Sequence, residues 1–238
     1  MDQMTATFTD DQLTPFSFDV AAEAMRAALM DALKGQHPTD DTLSLALAKT
    51  ALETGRWKYI HCYNWGNVKA GTAYVGQYTS FACNEVLGGK VVWFAPGGRL
   101  DKKGGAVVAE ASPVPPGHYQ TRFRAYANQY DGAYEYVDFV ASGRYVDAWE
   151  ELLVGDSDGY VKALHDKGYF TADPAVYGKG VKSLQAEFKA KLQGKEWPAA
   201  QTVDLDWELI RATIIGNSLN HAYDWGQDRD QVYADAVA

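Results

Sequence analysis

Residues 41–53 constrain this chain more than any other segment. Leu43, Leu45, Ala46, Leu47, Ala48 and Leu52 fall on nearly every face of one helix. A helix that is apolar all round must be buried, so other elements have to wrap around it. Thr39 or Asp40 suits its N-cap. Thr54 and Gly55 stop it, and an aromatic, amide-rich loop follows: Trp57-Lys-Tyr-Ile-His-Cys-Tyr-Asn-Trp-Gly-Asn-Val-Lys-Ala70. Glu53 therefore stands where a buried helix opens into that loop. Apolar surroundings raise a carboxyl pKa. A general acid that cleaves a sugar linkage has to keep its proton near neutral pH, and this position suits such chemistry.

The chain has 238 residues, enough for one good core, either as one large domain or as a domain with an appendage. Its 47% apolar and 22% charged content is that of a globular protein. The formal charge of −9, with no long basic run, argues against a polyanion as the main partner. The 15 Tyr and 7 Trp fall largely in loops, which points to a stacking surface for flat ligands such as sugar rings. No run of 18 apolar residues exists, so no transmembrane helix is expected. Cys62 and Cys83 are either two free thiols or one disulfide, and spacing does not decide between them. No zinc site, other metal or cofactor is expected.

Along the chain, residues 1–17 are polar and read as an N-terminal arm. Residues 18–33 have an apolar stripe at helical spacing and end at Gly35-Gln-His-Pro38. Residues 73–95 carry strand signals, with Gly88-Gly89 fitting a hairpin turn. Pro96 to Gly105 is glycine-rich and reads as exposed, and Ala106-Val-Val-Ala as a further short strand. Helical patterns then cover 131–142, 146–153, 159–167 and 174–192. Residues 194–200 read as a linker and 206–223 as a last helix. This is an α+β arrangement, mostly α, with a small sheet at one side of a helical body. Asp156-Ser-Asp-Gly159 has the look of a calcium loop but lacks the remaining ligands, so a helix N-cap explains it better.

Four blocks together resemble the glucosaminidase family of peptidoglycan hydrolases, glycoside hydrolase family 73, found in autolysins, flagellar muramidases and phage lysins. Ala48-Lys-Thr-Ala-Leu-Glu-Thr-Gly55 is similar to the family's Ala-x-x-Ala-x-Glu-Ser/Thr-Gly helix block. Tyr63-Asn-Trp-Gly-Asn-Val-Lys-Ala70 resembles its Asn-Leu/Phe-Gly-Ile-Lys-Ala loop. Arg122-Phe-Arg-Ala-Tyr126 is similar to its Phe-Arg-x-Tyr block. Leu164-His-Asp-Lys-Gly-Tyr-Phe-Thr-Ala-Asp-Pro174, with Tyr177, resembles its Gly-Tyr-Ala-Thr-Asp-Pro-x-Tyr block. The resemblance covers roughly residues 18–192. The chain departs from the family pattern in a longer segment between Glu85 and Phe123, in the spacing around Phe170 and Val176, and in an extension beyond residue 194.

The resemblance implies a lysozyme-like fold, in which a helical lobe and a small β-hairpin lobe flank a glycan groove. The implied layout is an arm at 1–17, a catalytic domain at 18–193 and a helical extension at 194–238. It implies an endo-β-N-acetylglucosaminidase, cleaving the β-1,4 bond after N-acetylglucosamine in peptidoglycan. Glu53 matches the general acid. Glu85 matches the second carboxylate loosely, with Glu110 as a rival and substrate assistance by the acetamido oxygen as a third route. Tyr169 matches a tyrosine at the family's active site. Tyr63, Asn64, Trp65, Asn67 and Tyr126 are candidates to hold sugar, by stacking or by reading acetamido groups. Asn is also a common loop residue, and Trp65 suits a place under the loop equally well. His61, His118 and His165 show no metal spacing.

The same fold also serves muramidases and lytic transglycosylases. A non-catalytic glycan-binding or particle-structural domain is the alternative of a different class. The N-terminus Met-Asp-Gln-Met-Thr lacks the features of a Sec signal. Delivery by a phage particle, release as an endolysin through a holin pore, export by a secretion machine, or a trimmed chain would each account for that. The expected C-terminal helix needs cover for its apolar face, from the catalytic domain, a second copy or a particle partner.

Overall fold

The computed structural model describes residues 6–71, 74–108, 117–170 and 172–197. Glu110 and the helix expected at 206–223 lie outside them. Six helices and six short strands follow one another in the order β1 (Thr7–Phe8), α1 (Phe18–Ala32), α2 (Asp40–Glu53), β2 (Gln77–Ser80), β3 (Cys83–Leu87), β4 (Lys90–Ala95), β5 (Gly98–Leu100), β6 (Arg122–Arg124), α3 (Gln129–Ala141), α4 (Val146–Val154), α5 (Ser157–Asp166) and α6 (Pro174–Leu192). The fold is α+β and mostly α.

Residues 42–51 of α2 are buried without a break. Thr39 caps the helix by accepting from the Thr42 amide, and Asp40 and Asp41 sit where the helix dipole favours negative charge. Its buried hydroxyls stay satisfied: within the helix Thr50 Oγ1 donates to the Ala46 and Leu47 carbonyls and Ser44 to the Asp41 carbonyl, while Thr42 donates to the Leu153 carbonyl of α4. The other helices wrap this axis. Phe188 of α6 meets Trp57 and Phe18 at ring centroids of 5.5 and 5.1 Å. Trp65 packs against Phe16 at 4.9 Å.

The sheet signals resolve into two sheets rather than one. β3, β4 and β5 form an antiparallel meander, with Val86 opposite Val91 across Gly88-Gly89. Both turn glycines have positive φ (56° and 76°), the backbone a two-residue primed turn requires. The front of the expected 73–95 hairpin is not part of it. β2 instead lies between β1 and β6, parallel to the first and antiparallel to the second. The glycine-rich stretch after Pro96 is likewise not exposed throughout, because β5 occupies 98–100 and buries Gly98 and Leu100. The 106–109 strand reduces, within the described residues, to a bridge between Leu100 and Val107.

The polar N-terminal segment is stitched onto the body over its described part. β1 pairs with β2, Leu13 bridges His61, and Asp11 holds the His61 ring at 2.8 Å. At the other end, Trp197 lies under the Arg26 and Lys195 cations. Cys62 and Cys83 are free thiols. Asp156 caps α5, accepting from the Asp158 and Gly159 amides.

Helix α3 comes so close to the loop after α2 that a Cβ on Gly132 would stand 2.0 Å from the Tyr63 carbonyl oxygen. In an open helix Gly→Ala adds about 1 kcal/mol of stability. Here Gly132→Ala is expected to destabilise instead, and a lowered thermal midpoint would check it.

Candidate active site

The C-terminus of α2 leads into a strained loop. Gly55, Arg56 and Trp57 have φ of 58°, 59° and 59°, and Cys62, Tyr63 and Asn67 have 44°, 53° and 50°. Such a run of left-handed residues persists only where its surroundings over-determine it. Arg56 donates to the Ala51 carbonyl through its amide and forms a bidentate pair with Glu187 at 2.8 and 2.6 Å. The Trp57 amide donates to Thr54 Oγ1, and its indole donates to Thr50 Oγ1. Asn64 is the inner staple: its amide donates to the Val68 and Arg124 carbonyls, and its Oδ1 accepts from the Val68 amide. These bonds hold Asn67, whose Nδ2 donates to the Glu53 carbonyl at 3.0 Å.

Glu53 lines a groove of about 880 Å³ that runs between the helical body and the β3–β4 hairpin. Its side chain keeps about 20% exposure. Glu53 Oε1 accepts from the Tyr177 hydroxyl at 2.5 Å and lies 3.6 Å from Lys49 Nζ, one helical turn back. Lys49 is fully buried, with its ammonium 3.6 Å from the Tyr169 ring centre and 5.3 Å from that of Tyr136. Tyr169 donates to the Gly66 carbonyl at 2.7 Å. Gly66 has to be glycine here, because a Cβ would meet the Tyr169 hydroxyl at 2.5 Å and the Tyr136 ring at 2.8 Å. Burial first, and the Glu53 carboxylate second, hold the Tyr169 and Tyr177 phenols well above their ordinary range. Both therefore stay protonated and remain donors.

Glu85 enters the groove from the hairpin. Lys69 meets it at 2.7 Å, donates to the Gln120 carbonyl, lies 3.6 Å from Cys83 Sγ, and stands 4.0 Å from the Phe123 ring centre. Each of the two carboxylates thus has its own lysine, one buried and one in the open groove. Flat faces complete the walls: Phe81 stacks on Phe123 at 4.1 Å, and Phe170 stacks on Tyr177 at 4.1 Å. Among the described residues no cluster of His, Cys, Asp and Glu suits a metal ion.

No protein-family model matches the chain, and no curated protein matches it. Among solved structures it is similar to the crystal structure of a peptidoglycan hydrolase mutant from Sphingomonas sp. A1. The TM-score is 0.50 and the identity 21%, over 74% of this chain and 99% of that one. The two share a fold.

Within that fold the expected site residues divide. Glu53, Glu85, Asn67 and Tyr169 line one groove. Tyr63, Asn64, Trp65 and Tyr126 are not among its lining residues. Trp65 is fully buried, with its indole donating to the Gln129 carbonyl at 2.9 Å, so it presents no face to a sugar. Asn64 spends its amide on the loop's own backbone. Tyr63 points its backbone, not a groove face, into the fold, its amide donating to Thr14 Oγ1. Tyr126 lies by Tyr74, Glu135 and Arg124, where burial raises its phenol well above the ordinary range.

Sequence reasoning passed over Lys49, Phe81 and Phe123, and it used Tyr177 and Phe170 only as parts of a block. For Lys49 a signal existed: it precedes Glu53 by four residues, so the two share a helix face.

Burial pulls Lys49 from its ordinary 10.5 down to about 8, with Glu53 pulling it back up. The folded value lies below the unfolded one. The unfolded chain therefore binds more protons between about pH 8 and 10.5, and this residue's contribution to stability rises with pH across that window. Below pH 8 its full cost, about 3 kcal/mol, is present. Glu53 keeps an exposed edge and its bond to Tyr177, so removing Lys49 leaves no uncompensated buried charge. Lys49→Met is expected to raise the unfolding free energy at pH 7 by up to about 3 kcal/mol and to flatten the rise toward pH 10. Urea unfolding of both proteins at the two pH values checks this.

Proposed function

We propose that the protein is a peptidoglycan hydrolase that cleaves the β-1,4 bond after N-acetylglucosamine, with Glu53 as general acid. The observation that carries this reading is the Glu53 carboxyl at the end of a buried helix, with about 20% of its side chain open on the groove wall. Its fold likeness to a peptidoglycan hydrolase supports the substrate class, and the four sequence blocks support the bond. An alkoxide is too poor a leaving group to depart alone, so Glu53 protonates the glycosidic oxygen. The carboxylate that remains accepts from Tyr177 and faces the Lys49 ammonium. Glu85, on the hairpin across the groove, is the proposed second carboxylate, activating water on the opposite face of the ring. Tyr169 holds the Gly66 turn and, through it, the Asn67 side of the loop. Asn67, Phe81 and Phe170 are the proposed sugar contacts.

One observation favours a second reading. The Lys69 pair at 2.7 Å occupies Glu85. A lytic transglycosylase needs only the acid, because the substrate's own hydroxyl closes the ring. Under that reading Glu85 and Lys69 shape the groove and take no part in the chemistry.

Digestion of purified peptidoglycan, followed by borohydride reduction and mass analysis of the new ends, separates these. Reduced N-acetylglucosamine ends are expected. Reduced muramic ends mean a muramidase, and anhydro-muramic ends a transglycosylase. Glu53→Gln is expected to lower turnover by about 10²–10⁴-fold while glycan binding persists; unchanged turnover would remove Glu53 from the mechanism.

Glu85→Gln tests the partner separately. A hydrolase using it as base loses about 10²-fold or more in kcat. A variant that keeps its rate, with anhydro ends, selects the transglycosylase.

A further inference from the structure

Lys49 does not line the groove. It is nonetheless the most deeply buried charged side chain among the described residues. Its side chain is fully buried in the middle of an apolar helix, and its Nζ makes no hydrogen bond. The groups around it are few. Tyr136 faces it from α3, with its hydroxyl 2.9 Å from that of Tyr160 of α5. Tyr169 faces it from the loop after α5, and Tyr177 of α6 reaches it only through Glu53. All four are neutral phenols. Glu53, 3.6 Å away, is the one carboxylate in ion-pair range among the described residues.

A buried ammonium without hydrogen bonds costs stability, and an apolar residue of the same length fits the site. The Tyr169 and Tyr136 rings offset part of that cost. Chemistry at Glu53 gives a further reason for a lysine here. When Glu53 gives up its proton, a negative charge develops beside a low-dielectric wall of aromatic rings. A cation fixed 3.6 Å away favours that charge with no reorganisation.

We propose that Lys49 is a positioning residue that supplies the buried counter-charge for the Glu53 carboxylate and thereby sets the alkaline limit of glycan cleavage. The alkaline limit rests on the reading of Glu53 as general acid; the counter-charge does not. The fixed cation favours the charged form of Glu53. Without it, Glu53 holds the proton to higher pH and yields it less readily. A neutral residue at position 49 therefore shifts the descending limb upward and lowers the plateau in kcat, with little effect on KM. A purely structural lysine would move neither limb.

The test uses the full chain, as wild type and as Lys49→Met and Lys49→Gln, two neutral variants that guard against a folding failure in either. The Glu53 carboxyl carbon, assigned through Glu53→Gln, is titrated by ¹³C NMR in the free protein. The pH profile of kcat is measured on purified peptidoglycan fragments. The expected result is an upward move of the NMR midpoint by about 1–3 pH units in both variants, with the descending kcat limb moving by the same amount. An unmoved midpoint in the folded variants overturns the counter-charge. A moved midpoint with an unmoved limb overturns its role in setting the limit. Wild type without glycan cleavage at any pH overturns the acid reading and the limit with it, while the NMR titration still decides whether Lys49 and Glu53 are coupled.

Discussion

Helix α2 is closed to water from residue 42 to residue 51 and opens at its two ends, with Glu53 the last residue. Everything else in the structure answers to that. A helix buried on all sides needs partners all round, so α1, α4 and α6 pack against it and the aromatic set of Trp57, Trp65, Phe16 and Phe188 fills the gap at its end. At its C-terminal end the chain turns sharply, with Gly55 and Arg56 exposed and Trp57 returned to the core. It does so through three consecutive left-handed residues held by Thr50, Thr54 and Glu187. The strain of that turn fixes where Glu53 faces and where Asn67 comes back to meet it.

The groove has an electrical asymmetry built on the same geometry. Both of its carboxylates are paired with lysine. Lys49 is rigid, buried and without a hydrogen bond, whereas Lys69 is half-exposed and also bonded to a carbonyl. A charge fixed in a dry wall acts on its neighbour through little solvent, while one in the open groove is screened. The Glu53 side is therefore set by the fold, and the Glu85 side is free to change when a ligand enters. This difference suits a fixed acid and an adjustable partner carried on a hairpin.

The candidate site was partly legible in the chain. Glu53 stood out because a carboxylate ends a segment that is otherwise apolar on every face, a local pattern that needs no knowledge of the fold. Tyr169 and Asn67 came from short blocks whose order resembles a family and Glu85 from a loose match to its second carboxylate, and all three reach the groove. Trp65, Asn64, Tyr63 and Tyr126 came from the same blocks and do not. Residue type explains the split: an aromatic ring or amide next to a candidate acid can support the loop or face the ligand, and local spacing is the same in both cases. The phenylalanines of the groove wall, Phe81, Phe123 and Phe170, carry no polar signature that would have marked them.

The pattern of apolar residues determined by itself that α2 is buried, that the chain is a helical body with sheet strands at one side, and where most helices start and stop, because 3.6-residue periodicity and caps are local properties. Strand partners were another matter. Gln77–Ser80 reads as the front of a hairpin, yet it pairs with β1 and β6 across long stretches of chain, since hydrogen-bond partners in a sheet are chosen by the three-dimensional path. The groove was decided in the same way. Lys49, Glu53, Tyr169 and Tyr177 come from three separate segments, and only packing α6 and the loop after α5 onto α2 brings their charges and phenols within a few ångströms of one another.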